Sequence, residues 1–376
     1  MESILRMAGE LIGTELSDPI DLDGSGRSRV LRCRTETGGT VIVKSYVDKP
    51  GARRGFAAEA AGLSLGLAGP KLLATDSDVP LLVMEDLGTA PSLADVLLGE
   101  DPKAATDGLL IWARALGGLA AESVQQRADL DQLWAQYSRG AALWENERWM
   151  NAGAAALLAS LAASGIAAPE GLVEELAALR RDFAEQYPAF TPGDTCLDNN
   201  LLTPQGLRLI DFESACFAPV FVTAAYCRMP FPSCWCVFRL PAALAIEVEE
   251  AYREQVVVAY PSLADDAVWE AGMRRAVATW TVDVTGWLLP LATQNTPMHA
   301  TRRPVATARQ VVRHRWESAA ELTEFPALAE TMRLLLQGVA AEWDAPPLPE
   351  YPAFRIIHDA RGRDPERFAD RCVRGS

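Results

Sequence analysis

The feature that most constrains this chain is the segment at residues 192–214, which reads PGDTCLDNNLLTPQGLRLIDFES. Its middle part, residues 201–210, holds two short apolar stretches around a turn, a pattern that predicts a β-hairpin. Asp194 and Asn199 lie before the hairpin, five positions apart, and Asp211 follows its second strand directly. Because a hairpin returns the chain to the point where it started, we expect these three side chains to converge.

A carboxylate, an amide and a second carboxylate in one place have a specific use in phosphoryl transfer. One carboxylate orients the attacking hydroxyl and accepts its proton, while the amide and the other carboxylate hold magnesium against the nucleotide phosphates. Taken singly, each of these residues is typical of an Asp or Asn that caps a turn. Their order along one hairpin favours the catalytic interpretation.

The remainder of the chain is rich in strands at its start and in helices afterwards. Residues 27–47 hold two alternating β-rich stretches around a Thr-Gly-Gly turn, and residues 79–84 read as a buried strand. From about residue 91 the apolar residues recur at helical spacing. We therefore expect an α+β fold with a small β-rich N-terminal lobe, residues 1–88, and a large, mainly α-helical C-terminal lobe, residues 89–376.

The helical stripes of the second half are interpreted as core faces. One of them consists of Trp269, Met273, Trp280, Val284 and Trp287. Aromatic residues at this spacing more often pack in a core than line a substrate pocket.

Composition narrows the classes of partner. With 376 residues, of which 49% are hydrophobic, the chain can bury a sizeable core. Its formal net charge of -15 disfavours nucleic acid, whose binding requires Lys and Arg against the phosphates. We expect no nucleic-acid partner. The negative charge is compatible with a cationic substrate, and it is also common in soluble proteins that bind none.

The cysteines and the N-terminal segment indicate a compartment. Seven cysteines form no regular framework, so we interpret them as free thiols of a reducing environment. Cys234 and Cys236 have one residue between them, which is the wrong spacing for the usual zinc or redox pairs. Residues 1–17 mix charged with apolar side chains and lack the apolar run of a signal peptide. We expect a cytoplasmic protein without a membrane span.

A known pair of motifs resembles three parts of this segment: the Gly-Asp pair that ends at Asp194, Asn199, and the Ile-Asp-Phe-Glu sequence at 210–213. They are the catalytic loop and metal-binding turn of the aminoglycoside phosphotransferase and choline kinase superfamily, which protein kinases share. The resemblance implies a protein-kinase-like two-lobed fold and transfer of a phosphoryl group from ATP, with Mg²⁺, to a small-molecule hydroxyl. It makes Asp194 the catalytic base, and Asn199 and Asp211 the magnesium ligands. Asn200 competes for the amide role, but Asn199 matches the family spacing.

The first lobe matches the same family. Lys44 resembles the strand lysine that contacts the nucleotide phosphates, and Glu59 resembles its helical ion-pair partner. The tetrad at residues 23–26 is placed where a loop would join the first hairpin to an earlier strand. The other nucleotide contacts that the resemblance implies are hinge backbone groups at Glu85 and Leu87, and a loop over the phosphates formed by Gly24, Ser25 and Gly26.

Two departures from the family pattern bear on activity. Pro192 stands where many relatives have histidine, and Thr223 stands near the place where relatives often have an aspartate that braces the catalytic loop. They support an alternative function, a nucleotide-binding regulatory protein with little turnover. The retained catalytic and metal-binding groups favour a kinase. A protein kinase is disfavoured because the His-Arg-Asp, Asp-Phe-Gly and Ala-Pro-Glu signatures are absent from the sequence.

The phosphoryl acceptor stays open at this point. An aminoglycoside or another cationic antibiotic is compatible with the negative charge, and choline-like, sugar and nucleoside alcohols are alternatives. Phe231, Trp235 and Phe238 follow the metal-binding turn and are interpreted as core residues in preference to pocket residues. The sequence gives no indication of oligomeric state.

Overall fold

The structure is a computed structural model that describes residues 1–22, 24, 26–140, 146–183, 186–232 and 234–355. The strands are β1 (Leu16–Asp21), β2 (Ser28–Thr35), β3 (Thr40–Tyr46), β4 (Leu72–Asp76), β5 (Leu81–Glu85), β6 (Pro188–Thr191), β7 (Asn200–Thr203), β8 (Gly206–Leu209) and β9 (Cys216–Pro219). The first helices are α1 (Glu2–Ile12), α2 (Pro50–Ser64), α3 (Leu93–Leu97), α4 (Pro102–Ser123), α5 (Arg127–Ser138) and α6 (Asn146–Ala163). The later ones are α7 (Leu172–Phe183), α8 (Val220–Ala224), α9 (Ala242–Ala259), α10 (Asp266–Thr293), α11 (Ala308–Ala319) and α12 (Pro326–Gly338).

The first five strands form one antiparallel sheet in the order β1-β2-β3-β5-β4. Along β3 the side chains alternate between its faces, so Val41 and Val43 join the small core under α1 while Lys44 lies on the other face. That opposite face is covered by α2 and opens toward the helical part of the chain. The alternation of one strand therefore determines which way Lys44 projects.

The predicted hairpins and the order of strands and helices are confirmed. β2 and β3 pair from Ser28 with Tyr46 to Arg34 with Thr40, and an earlier strand, β1, pairs with β2. β7 and β8 form the second hairpin. The lobe boundary after residue 88, between β5 and α3, stays a prediction.

One predicted core position is wrong. Four members of the α10 stripe are buried, but Trp287 is 42% exposed. At a period of 3.6 residues the stripe continues from Val284 to Leu288, which is fully buried, so the adjacent residue turns outward. Phe231 and Phe238 are buried, as predicted, and Trp235 is only partly buried, packed against the same core.

The interpretation of every cysteine as a free thiol is also wrong. Cys196 and Cys234, 38 positions apart, form a disulfide with their Cα atoms 4.7 Å apart. Two cysteines so distant in sequence meet only through tertiary folding, and their spacing along the chain does not predict that they pair. Among the described residues, the free cysteines are Cys33, Cys216, Cys227 and Cys236.

None of the described helices is both long and apolar enough to cross a membrane.

Asp283 carries a stability cost that can be measured. It lies in α10 against Gly153 of α6, and burial raises its pKa from 3.8 to about 6. A carboxyl whose pKa is raised in the folded state destabilises the fold when it is ionised. The free-energy cost of ionised Asp283 therefore grows from about pH 4 to about pH 6 and stays constant at higher pH. We expect Asp283→Asn to raise the free energy of unfolding in urea by about 2 kcal/mol at pH 8 and by little at pH 4.

The control for this substitution is Asp131→Asn, at an exposed position of α5, which should change neither value. An equal gain for Asp283→Asn at both pH values would mean that the amide forms new contacts and that no charge penalty existed.

Candidate active site

A cavity of about 430 Å³ separates the five-stranded sheet from the β7-β8 hairpin. Both sides contribute to its walls, with Val30, Ile42 and Met84 from the sheet, and Asn199, Leu201 and Asp211 from the hairpin region. The sheet also contributes the charged Arg32 and Lys44, so the cavity combines apolar and polar walls, as is typical of small-molecule sites.

Lys44 joins the two sides of this cavity. Its Nζ atom lies 2.6 Å from Glu59 Oε2 on α2 and 2.7 Å from Asp211 Oδ1. Tyr46 donates its hydroxyl to the same Glu59 carboxylate. Burial by itself lowers the pKa of Lys44, but the two carboxylates outweigh it and raise the pKa, so the ammonium stays charged. The structure therefore brings together the lysine, the helical glutamate and the aspartate that the sequence singled out.

The segment around Asn199 is tied to the strand that ends before Asp211. Ile210 donates its backbone N–H to the Asn199 carbonyl at 3.0 Å, while the Asn199 side chain donates to the Asp194 carbonyl at 3.2 Å. Asp211 itself has φ of +65°, a left-handed conformation that turns the chain sharply after the hairpin. Convergence of Asp194, Asn199 and Asp211 at one end of the hairpin is thus observed.

Asp194 is positioned by a turn that follows β6. Gly193 has φ of +89°, and a Cβ atom there would overlap the carbonyl oxygen of Ser214, so only glycine fits. The backbone N–H of Cys196 donates to Asp194 Oδ1 at 3.0 Å. Asp194 is not among the residues that line the cavity, and it lies at the cavity's hairpin end through its contact with Asn199.

The two neighbouring asparagines have different surroundings. Asn199 lines the cavity, whereas Asn200 is fully buried and donates its amide to the carbonyls of Thr195 and Cys196 at 3.2 and 2.6 Å. Their surroundings differ because Asn199 precedes β7, whereas Asn200 is its first residue. The preference for Asn199 as the ligand stays a prediction that this geometry favours.

The predicted phosphate loop is placed in part. Gly24 lines the cavity, and a Cβ atom there would overlap the Ser28 carbonyl. Gly26 is not among the lining residues, and Ser25 lies outside the described residues. Next to this loop Arg27 forms an ion pair with Glu213, two residues past Asp211.

Glu213 is a titratable residue in the wall of the cavity. Burial, with the nearby Asp211 carboxylate, raises its pKa to about 7, although Lys44 and Arg27 act in the opposite direction. Sequence reasoning did not identify Arg27 as a partner, because the ion pair joins positions 186 residues apart.

The two hinge residues, Glu85 and Leu87, both line the cavity. The backbone N–H of Glu85 donates to the Lys71 carbonyl at 2.9 Å, so this N–H is used within the sheet. Arg32 holds the turn between the two hinge residues through Asp86, with Nε 2.8 Å from Oδ2. Neither Arg32 nor Asp86 was predicted, since no local pattern indicates their pairing across the sheet.

Residues 21–233, more than half of the chain, match the sequence profile of the Phosphotransferase enzyme family, APH. The chain belongs to this family. The resemblance stated from the motifs is therefore confirmed, and the chain is a phosphotransferase with an alcohol group as acceptor. No curated protein matches the chain.

Two solved structures with a TM-score of 0.50 support the two-lobed, protein-kinase-like fold, and a third is similar more weakly. The streptomycin–ATP–APH(2″)-IIa ternary complex is 14% identical, with a TM-score of 0.50, over 79% of this chain and 96% of that one. The GDP and kanamycin complex of APH(2″)-IIia is 13% identical, with a TM-score of 0.50, over 91% and 99%. A fructosamine-3-kinase-like protein from Thermobifida fusca is 18% identical, with a TM-score of 0.48, over 90% and 99%.

The two departures from the pattern of this phosphotransferase family face one small void. Pro192 and Thr223 both line a cavity of about 10 Å³ behind the catalytic loop, beside Thr195. The Thr195 hydroxyl is buried and finds no hydrogen-bond partner among the described residues. A small void and a buried hydroxyl without a hydrogen-bond partner therefore lie next to the predicted catalytic loop.

Thr195→Val tests this interpretation. Because the hydroxyl is buried without a partner, we expect the substitution to raise the free energy of unfolding in urea by about 1 kcal/mol. Thr281→Val in α10 is the matched control, since the buried Thr281 hydroxyl donates to the Val277 carbonyl at 2.8 Å and its loss should bring no gain. A loss of stability in both variants would show that the Thr195 hydroxyl is satisfied.

Proposed function

We propose that this member of the phosphotransferase family moves the γ-phosphoryl group of ATP to a hydroxyl of a small molecule, with Asp194 as the catalytic base. The observation that carries the proposal is the contact of Lys44 with both Glu59 and Asp211 at the cavity, with Asn199 in the same wall. Phosphoryl transfer depends on such positioning of charges more than on covalent chemistry.

The cavity supports nucleotide binding along its whole length. Glu85 and Leu87 line it at the predicted hinge, where backbone groups would meet the adenine edge. Lys44 stays charged and faces the phosphates, and Gly24 allows the loop above them to approach closely. Ser25 and Gly26 would continue that loop.

The donor set at the hairpin end fits magnesium. Asn199, Asp211 and Glu213 line the same wall and offer only amide and carboxylate oxygens, the hard ligands that Mg²⁺ prefers. Asn199 and Asp211 would hold the ion, which when bound neutralises charge on the nucleotide phosphates. Glu213 lines this wall but is also paired with Arg27, which follows the predicted phosphate loop. Whether Glu213 can also contact the ion therefore depends on the position of that loop.

Asp194 acts on the acceptor. Its Oδ1 accepts from the Cys196 N–H, which orients the carboxylate, and Asn199 ties its carbonyl to the metal side of the site. The carboxylate orients the acceptor hydroxyl toward the γ-phosphorus and takes up its proton as the oxygen attacks. The fixed loop geometry limits the motion needed before transfer.

For the acceptor we propose a cationic small molecule such as an aminoglycoside. The net charge of -15 supports it, as do the complexes of streptomycin and of kanamycin with the two structures of TM-score 0.50. Beside the predicted catalytic loop the half-buried Trp235 donates its indole N–H to Asp198 at 2.8 Å, and its exposed part would contact the acceptor. Choline-like, sugar and nucleoside alcohols are the competing acceptors.

A regulatory protein that binds ATP with little turnover is the second candidate. The specific observation in its favour is the void lined by Pro192 and Thr223 behind the catalytic loop. Against it, the Lys44–Glu59–Asp211 contacts are all formed.

The deciding experiment measures ATP consumption with Mg²⁺ across aminoglycosides, peptide antibiotics, nucleosides, sugars and amino alcohols, with Asp194→Ala as the blank. Turnover with one compound, lost in the blank, supports the kinase and identifies the acceptor class. Binding of Mg-ATP without turnover on any compound favours the regulatory protein. Failure to bind Mg-ATP at all contradicts both.

A further inference from the structure

Three cysteines meet directly behind the catalytic loop. The sulfur atoms of Cys196, Cys234 and Cys236 all lie within 4.8 Å of one another, and none of the three residues is more than 5% exposed. Cys196 and Cys234 form the disulfide, and the Cys236 sulfur lies 3.1 Å from that of Cys234. The family role described above uses none of these sulfur atoms.

The cluster is connected to the catalytic aspartate. Cys196 follows Asp194 by two positions and donates its N–H to the carboxylate. Leu197 donates its N–H to the Cys234 sulfur at 3.4 Å. Any change in the position of Cys196 is therefore transmitted to the carboxylate that faces the acceptor.

We propose that Cys196, Cys234 and Cys236 form a thiol–disulfide site that holds the catalytic loop in place, so that the redox state of the site sets the rate of phosphoryl transfer. The effect on rate rests on the proposed function. The effect on the loop does not, because it follows from the covalent link between Cys196 and Cys234.

Two reactions can change the redox state or the pairing of these cysteines. In exchange, the Cys236 thiol loses its proton, its sulfur attacks Cys234, a Cys234–Cys236 bond forms, and Cys196 leaves with the electron pair and takes up a proton. In reduction, two equivalents of a low-molecular-weight thiol give two electrons and two protons to the Cys196–Cys234 bond and become a disulfide themselves. Cys196 becomes a free thiol in both cases.

The resting site is slow to react. Burial, together with the carboxylate of Asp198, raises the pKa of the Cys236 thiol well above its ordinary value, so the thiol is neutral. The thiolate is the attacking species, so exchange requires the loop to open. A buried disulfide beside a buried thiol thus changes state only when the catalytic loop moves.

The expected size of the effect is moderate. Without the disulfide, the hydrogen bond from Trp235 to Asp198 still holds the loop. A loop displaced by a fraction of an ångström should lower kcat about tenfold, since larger misplacements cost about a hundredfold.

The first test is a peptide map of protein purified without reductant, blocked with an alkylating agent and digested with trypsin. Cys196 lies in the peptide 182–208, and Cys234 and Cys236 share the peptide 229–239. We expect the two peptides to be linked, and a fraction of the 229–239 peptide to carry an internal disulfide after incubation in a glutathione buffer. Full alkylation of all three cysteines, or one equivalent of bound zinc, would overturn the proposal.

The second test compares wild type, Cys196→Ser, Cys236→Ala and Cys33→Ala before and after treatment with a dithiol reductant. Wild type should lose about tenfold in kcat on reduction and regain it on reoxidation, with unchanged Mg-ATP affinity. Cys196→Ser should turn over slowly in both states, and Cys236→Ala should keep the linked peptides without the internal disulfide. Cys33, buried in the sheet core, is the matched control and should behave as wild type.

Hydrogen exchange separates this proposal from the proposed function. Reduction should speed exchange of the Cys196 and Leu197 amides in wild type, while Cys196→Ser should show fast exchange throughout, whether or not any acceptor is phosphorylated. Circular dichroism confirms that each variant is folded. If wild type keeps both its turnover and its slow loop exchange after full reduction, the cysteines do not control the loop.

Discussion

Replacing Asp194 with asparagine should lower kcat about 10³-fold and leave the affinity for Mg-ATP unchanged. In the wild type, the Cys196 N–H donates to the Asp194 carboxylate at 3.0 Å. The amide oxygen of asparagine can accept the same hydrogen bond, so the loop keeps its geometry. What the variant loses is the group that accepts the proton of the acceptor hydroxyl. The measurement combines steady-state turnover on the acceptor found in the panel with calorimetric titration of Mg-ATP.

The matched control is Asp101→Asn. Asp101 is an exposed carboxylate that accepts from the Lys103 and Ala104 N–H groups at the start of α4, and asparagine is an equally good N-cap. This variant makes the same change of charge and should retain full activity. Normal turnover in Asp194→Asn would assign the proton transfer to another group, and a parallel loss of Mg-ATP affinity would indicate that Asp194 acts by folding the site.

The buried ion pair should dominate both stability and nucleotide binding. Lys44→Met leaves the Glu59 carboxylate buried without its cation, and Glu59→Gln leaves the ammonium of Lys44 with Asp211 alone. Lys44→Met should lower the free energy of unfolding by about 3–5 kcal/mol, because it leaves the buried Glu59 carboxylate without its cation. Glu59→Gln should cost less, because the ammonium of Lys44 keeps Asp211 as a partner. The double variant should lose far less than the sum, since neither charge of the pair remains. All three variants should bind Mg-ATP weakly.

Urea unfolding at pH 7.5 measures the cycle, and titration with Mg-ATP measures the affinity. Lys103→Met, which removes an exposed partner of Asp107 on α4, serves as the control and should leave both quantities unchanged. If the two single losses add up in the double variant, Lys44 and Glu59 are not energetically coupled, and the lysine is held by Asp211 instead.

Local sequence was sufficient to predict that three candidate site residues converge at one hairpin. Asp194, Asn199 and Asp211 belong to a segment of 23 residues whose turn and strand pattern already bring them together. Lys44 was also within reach, because strand alternation places it on the face opposite Val41 and Val43. These inferences succeed because the contacts depend on short-range backbone geometry.

Other parts of the site depend on contacts that no local pattern encodes. The ion pair of Arg27 with Glu213 joins two regions 186 residues apart, next to the predicted phosphate loop and the turn after Asp211. The void at Pro192 and Thr223 lies where α4, β6, β9, α8, α9 and the turn that follows β6 pack together. Sequence patterns report which residues face a core but not how completely it is filled.

By itself the sequence determined the class of chemistry, the order of strands and helices, and the hairpin at whose end the predicted catalytic and metal-binding residues converge, since these follow from side-chain type and backbone periodicity. Only the tertiary structure decided the disulfide of Cys196 with Cys234, the outward turn of Trp287 and the partner of Arg27. The physical reason is the same in each case: a contact between distant segments depends on the packing of the whole chain, and a pattern of period two or 3.6 carries no information about that packing.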